Sequence, residues 1–484
     1  MNYCCNFVEH ILFFYMKKSQ LVNILKTFSS KDIREMRKWL LSPAHNQRQD
    51  VVQLFEYFFE DHHLEKEEFL EKPTVFSWIF PKETYDDARM RQVMYFLLKS
   101  IEEFLTFQEL GNDTIHNEIA LAKVFRRRKL DKLYHKTLKK LKSEQTEYDL
   151  KNHIFFKNGF LIEEEEYAFL RNTKRAEFNL QEVSDSFDIY FITTKLRQII
   201  LMAAHQNVYK TDYEIGFLDE ILEKAQMEKY IQIPAVAIYF YGYKTITEKE
   251  NESHFQKLKA QINDHGHTFP LFEIRDIYLM AINYCIGRMN TGAESFVREA
   301  FELYKVGFEK KILIENNLVT RVTFHNVISI GLVLKEYVWV KSFINIYQQY
   351  LQEKHREGFV YYSLARVHYK EKNYDQAMKL LVQDVHYDDI IINLSAKLIL
   401  LKMYYELQEF DALESLLESM RTYIQRKKVL GYHKNNYKNI IRFTKKLLKV
   451  TPYSSTKKEK LKLELETATP LTEKEWLLEQ LSNV

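Results

Sequence analysis

Tyr361-Tyr362-Ser363-Leu364-Ala365-Arg366-Val367-His368-Tyr369-Lys370-Glu371-Lys372-Asn373-Tyr374-Asp375-Gln376-Ala377 decides the reading of this chain. An apolar helical stretch ends in a short polar turn, and an aromatic residue follows the turn. The same arrangement recurs on both sides. Tyr337, Tyr374 and Phe410 stand 37 and 36 residues apart, each after a polar turn. Val327, Leu364 and Leu400 keep that offset, as do Ile344, Leu381 and Leu417. A period in this range predicts stacked helix pairs, because one pair cannot bury its apolar face alone and neighbours must share a core.

The composition agrees. The 484 residues include only 11 Gly and 7 Pro, and no proline lies between Pro270 and Pro452. Sheets need such residues at each reversal, so the chain reads as nearly all helix. Its length calls for two or three domains or one extended array. Apolar residues make up 46% and charged residues 28%, which supplies both a core and a solvated surface. The 34 Phe and 32 Tyr are packing residues for the wedges between helices. A net charge of +3 exerts no global pull toward nucleic acid or membrane. Three cysteines, Cys4, Cys5 and Cys285, exclude a disulfide framework and suit a reducing, cytoplasmic setting.

Working outward, residues 1–16 read as a start-site extension, with translation expected to begin at Met16. The apolar run Ile11–Tyr15 is too short to span a membrane, and no other stretch reaches the length a span requires. Residues 17–110 read as an N-terminal helical domain. In it Ser29-Ser30-Lys31-Asp32 forms a capping pattern, Ser42-Pro43 stops the helix it opens, and Met90 to Leu105 carries an apolar stripe. Gly111-Asn112-Asp113 opens a middle helical region, 111–270, closed by His265 to Pro270. The array is expected over 271–450. A tail, 451–484, ends in a helix bearing Trp476, Leu477, Leu478 and Leu481, opened by a capping box at Thr472-Glu473-Lys474-Glu475. Such a helix would cover the open end of the array.

The quoted stretch resembles the tetratricopeptide repeat. That family sets a large residue, then Leu and a small residue, then Tyr, and closes with a turn, an aromatic residue and a buried Ala. Tyr361, Leu364, Ala365, Tyr374 and Ala377 meet those places, with His368 where Tyr is usual. The following unit keeps Leu400, Tyr404 and Phe410 but departs at Lys397, Leu401 and Leu413. The preceding one keeps Val327, Gly331 and Tyr337. The proline that often ends a repeat is absent from all three, Asp389 standing there in the best unit. The likeness covers roughly a quarter of the chain. The whole sequence also resembles an uncharacterised bacterial family of helical-repeat proteins, which implies no activity, cofactor or catalytic residue. The resemblances imply an all-α, elongated, TPR-like solenoid behind an N-terminal helical domain.

In such arrays the first helix of each pair lines the concave groove. Carried over by register, Tyr362, Arg366 and Tyr369 face the groove in one unit, and Leu398, Lys402 and Tyr405 in the next. Two cations 36 residues apart, flanked by tyrosines, suit acidic or carboxylate-ending segments. They depart from the family's peptide-carboxylate clamp, which favours Asn at the Arg366 and Lys402 places. The expected function is therefore a non-enzymatic scaffold or adaptor that docks a protein or peptide partner.

The alternative rests on charge. Lys123–Lys142 holds ten cations against one acid, Asp131. Leu130, Leu133, Leu138 and Leu141 are expected on an apolar face, leaving Arg126, Arg127, Arg128, Lys132, Lys136 and Lys139 to track a phosphate backbone. A second basic cluster runs from Arg426-Lys427-Lys428 to Lys449. Enzyme and metal signals are poor. His62-His63 and His265-x-His267 lack further ligands at a recognisable spacing. Gly287 to Gly292 is followed by Ala293 where a phosphate loop needs Lys. Asp388-Asp389 reads as a helix cap. No cofactor is expected, and an enzyme without a recognisable motif is the remaining reading.

Overall fold

A computed structural model describes residues 16–171, 177–382, 390–426, 433–451 and 455–484. The upstream extension with Cys4 and Cys5, the pair Asp388-Asp389, and Lys427-Lys428 lie outside the described residues. Those residues form 24 α-helices and no strand. The chain divides into two compact units. One runs up to Asp149 and takes in Ile154–Tyr190; the other comprises Leu150–His153 and Phe191–Val484. The breaks expected near residues 111 and 270 fall inside these units.

The first unit holds α1 (Gln20–Leu25), α2 (Ser30–Leu41), α3 (Gln49–Phe59), α4 (Lys72–Ile79), α5 (Asp87–Asn112), α6 (Thr114–Arg127), α7 (Asp131–Glu147) and most of α8 (His153–Leu170). The expected capping box opens α2: Ser29 Oγ accepts from the Asp32 amide, and Asp32 Oδ2 accepts from the Ser29 amide at 2.9 Å. Ser42 ends the helix, as the following proline dictates. Met90, Val93, Leu97, Ile101 and Phe104 of α5 are buried against Phe55, Phe58 and Phe76. Gly111-Asn112 does not break the chain, because α5 runs through both and Asp113 at once caps α6 with a bond to the His116 amide. A second core joins α6, α7 and α8, where Tyr134 stacks on Phe169 at 4.1 Å.

The division between units falls within α9 (Leu180–Tyr209). The second unit continues with α10 (Leu218–Gln226), α11 (Glu228–Ile231), α12 (Pro234–Thr247), α13 (Glu252–His265), α14 (Leu271–Asn290) and α15 (Ser295–Glu309). Leu150–His153 belongs to this unit for a visible reason. The Lys151 amide donates to Thr268 O at 2.7 Å, and Asn152 donates to the buried Glu273 carboxylate at 2.9 Å. Glu273 also accepts from Arg197 at 2.6 Å and from the Tyr239 hydroxyl at 2.5 Å, so its charge is fully used in cis.

Then come α16 (Arg321–Val333) with α17 (Tyr337–Tyr347), α18 (Glu353–Lys370) with α19 (Tyr374–Val382), and α20 (Ile390–Glu406) with α21 (Phe410–Arg426). The three periodic aromatics Tyr337, Tyr374 and Phe410 are each the first residue of a second helix. The periodic apolar residues Val327, Ile344, Leu381, Leu400 and Leu417 are buried. α18 packs on α19 within its pair and on α16 and α20 to either side. Ala365 and Ala377 are fully buried and let α18 and α19 approach. At Gly331 a Cβ would overlap Val340 of α17, so the preceding pair also needs a small residue at its crossing.

The chain closes with α22 (His433–Leu447), α23 (Ser455–Thr467) and α24 (Lys474–Asn483). Trp476, Leu477 and Leu481 of α24 bury into the core shared by α20 to α23. The capping box expected at Thr472 to Glu475 does not form. Glu473 takes the N-cap place with φ 55°, in the left-handed region, and no side chain caps the helix. The Glu473 carboxylate is bonded to Lys402 instead.

Candidate functional site

α16, α18 and α20 repeat at 37 and 36 residues, so equivalent positions on them fall into rows. His325, Tyr362 and Leu398 form one row; Ser329, Arg366 and Lys402 form the second; Leu332, Tyr369 and Tyr405 form the third. All but Tyr405 line a single cavity of about 430 Å³. Tyr437 of α22 and the Thr472-Glu473 segment before α24 close it. A larger hollow of about 800 Å³ adjoins it and shares Tyr369, Lys402 and Glu473.

Three charged groups sit here in different states. The Arg366 guanidinium bonds only to neutral partners, donating to Ser329 Oγ at 2.8 Å and to His325 Nδ1 at 3.3 Å. Its plane lies 5.7 Å from the Tyr362 ring centroid. It forms no ion pair among the described residues, and burial pulls its pKa below the usual arginine value. Arginine can only donate, so His325 accepts through Nδ1 and carries its proton on Nε2. Ser329 Oγ in turn donates to His325 O at 2.8 Å, which fixes the hydroxyl. Burial, with the Arg366 charge beside it, lowers the His325 pKa to about 4, so the ring is neutral at physiological pH.

Lys402 is already paired. Its Nζ donates to Glu473 Oε2 at 2.8 Å and lies 5.0 Å from the Tyr369 ring centroid. Glu406 is saturated by neutral donors: the Tyr369 hydroxyl at 2.7 Å, the Trp476 indole N–H at 2.8 Å, and the Tyr374 hydroxyl. The carboxylate beside them raises the pKa of both tyrosines, after burial itself, so they stay protonated as donors.

Of the residues expected in the groove, Tyr362, Arg366, Tyr369, Leu398 and Lys402 converge on the cavity. Tyr405 does not, because the ring of Trp476 from α24 covers it, with centroids 5.5 Å apart. His325 and Ser329 were overlooked, although extending the register one period upstream from Tyr362 and Arg366 reaches them. Glu473 carried no such signal. It lies 71 residues from Lys402, outside the repeat, in a segment whose sequence reads as a helix cap.

The basic stretch of the first unit divides in two. Arg126 is held by Glu165 in a two-pronged pair at 2.7 and 3.0 Å, with the Glu165 side chain 2% exposed. Lys140 and Lys142 pair with Glu118 and with Glu163 and Glu166. Arg127, Arg128, Lys132, Lys136 and Lys139 are exposed, and no carboxylate among the described residues pairs with them. Leu138 and Leu141 are buried as expected. Leu130 and Leu133 are not, at 41% and 45% exposure; Tyr134 and Thr137 fill the inner face of α7 instead. Lys132, Lys136 and Lys139 thus form a solvated stripe opposite that face.

His63 is buried and bonds to Tyr57 O at 2.8 Å. Among the described residues no group of three or more His, Cys, Asp or Glu is placed to hold a metal ion, and no helix is long and apolar enough to cross a membrane. No protein-family model, curated protein or solved structure matches the chain.

Proposed function

We propose that this chain is a non-enzymatic scaffold or adaptor, a TPR-like array whose groove on α16, α18 and α20 docks an acidic partner segment. The observation that carries the reading is Arg366, a half-buried guanidinium at the cavity wall with no ion-pair partner among the described residues. A half-buried guanidinium without a bonded carboxylate has N–H groups to offer, and a ligand carboxylate would take them in charge-assisted hydrogen bonds. Tyr362 and Leu398 supply contact area beside it. The test is photocrosslinking in the protein's own cells from p-benzoylphenylalanine in place of Val333, an exposed cavity residue. A discrete protein adduct that disappears in an Arg366→Gln background is expected. Adducts that ignore this substitution would remove the groove from the account.

A second reading keeps nucleic acid as the partner, favoured by the unpaired cations Arg127, Arg128, Lys132, Lys136 and Lys139. Phosphate contacts weaken steeply with salt, whereas an apolar groove loses little. Reversing Arg127 and Arg128 to Glu would abolish binding in this reading and leave groove binding intact.

A further inference from the structure

The charges around the cavity can be counted one by one. Lys402 is neutralised by Glu473, and His325 is neutral. Glu406 of the adjoining hollow is occupied by Tyr369, Tyr374 and Trp476. Lys370 stands on the exposed rim, where water screens it. One uncompensated charge remains, on Arg366. Of its five N–H groups, two are spent on His325 and Ser329. The three left can fork onto one carboxylate. Leu332, Val333, Leu398 and Ile399 supply an apolar wall, beside the polar groups of Ser395, Tyr437 and Thr472. A phosphate dianion or an acidic run would bring a second negative charge beside Glu473, with only the solvent-screened Lys370 on the rim to meet it.

The chain's own tail shows how a peptide-borne carboxylate enters. Leu471-Thr472-Glu473 reaches the cavity wall and delivers one acid to Lys402, while Trp476 and Leu477 anchor the segment in the apolar core. Leu477 is fully buried, so this segment is fixed and leaves only the Arg366 end of the cavity for a partner.

We infer that the groove selects a partner segment bearing a single Asp or Glu side chain between apolar residues, in preference to an acidic run or a phosphorylated side chain. This rests on the groove reading above and narrows it.

The experiment is selection of random dodecapeptides, displayed without free C-termini, against the immobilised full chain and in parallel against Arg366→Gln and Glu473→Gln. Wild type is expected to enrich sequences with one acid flanked by apolar residues. Synthetic forms should lose about ten- to a hundredfold in affinity on Arg366→Gln, the worth of a charge-assisted contact. Glu473→Gln frees Lys402, so it should shift the selection toward two acids. This arm does not depend on the Arg366 variant folding. Enrichment of acidic runs by wild type, tighter binding of phosphoserine versions, or an unshifted Glu473→Gln selection overturns the single-charge inference and leaves the groove reading standing. Enrichment seen only when the library is repeated with free C-termini transfers the site to chain ends. Thermal protection by octanoate that needs Arg366, with no peptide enriched, makes the occupant a small free acid. Absence of any Arg366-dependent binding overturns the groove reading itself.

Discussion

Arg126 in the first unit and Arg366 in the second are both partly buried guanidinium groups on helices, and their surroundings are opposite. Arg126 meets the buried Glu165 carboxylate with two parallel bonds, and its pKa is raised, the side-chain bond to Glu165 being the largest cause. Arg366 meets a neutral imidazole and a hydroxyl, and its pKa is lowered by burial. The first arrangement holds α6 to α8. The second leaves binding capacity unused. A cation is therefore read as structural or functional by the partner it has, and sequence alone gave both a binding role, Arg366 in the groove and Arg126 in the phosphate-tracking stripe.

The largest expected effect tests that contrast directly. Arg126→Met leaves Glu165 buried without a counter-charge and should cost about 3 kcal/mol or more. Arg366→Met removes a half-buried charge that has no bonded carboxylate, so stability should hold or rise. Urea unfolding of both variants checks this, and equal losses would erase the distinction.

The next effect concerns the register that puts Arg366 in the groove. Ala377 is fully buried in the α18–α19 pair, so Ala377→Leu should overpack it by roughly 1–3 kcal/mol. An unchanged melting temperature would break the pairing from which the groove rows are built.

How far the sequence reached follows from these same residues. Helix pairs were legible because a fixed period needs only local spacing, and each periodic aromatic indeed opens a helix. Five residues that line one cavity followed from that period. Illegible were the contacts that leave it: Arg126 with Glu165, 39 residues apart, and Lys402 with Glu473, 71 apart. Neither Glu165 nor Glu473 lies on the repeat, and Glu473 sat in a pattern with a good local explanation. In the structure its carboxylate meets Lys402 and its backbone is in the left-handed region.

Glu473→Gln measures that pairing. It strands Lys402, which is 9% exposed, near a second unpaired cation. A loss of about 1–2 kcal/mol is expected, reversed in part by Lys402→Met in the same chain. A double-mutant cycle with no coupling would detach the tail from the charge count of the groove.

The smallest effect is a pH dependence at His325, and its sign is set by the neutral ring. The unfolded imidazole has its ordinary pKa of 6.5, whereas the folded one lies at about 4. Between those values the unfolded chain binds more protons, so His325 withdraws stability as pH falls from about 6.5 to about 4 and adds no further change below. Arg366 contributes to the depression after burial, and Glu473, paired with Lys402, acts on Arg366. Replacing Arg366 with Gln should therefore raise the His325 pKa toward 6.5 and flatten this part of the profile, and His325→Gln should remove it. Arg126 has no ionisable neutral partner of this kind, so its variants should leave the same window unchanged. Imidazole titration by NMR in the Arg366→Gln variant reads the coupling directly. An unmoved pKa would mean that burial alone keeps the ring neutral, and that the unpaired guanidinium does not govern the protonation of its own site.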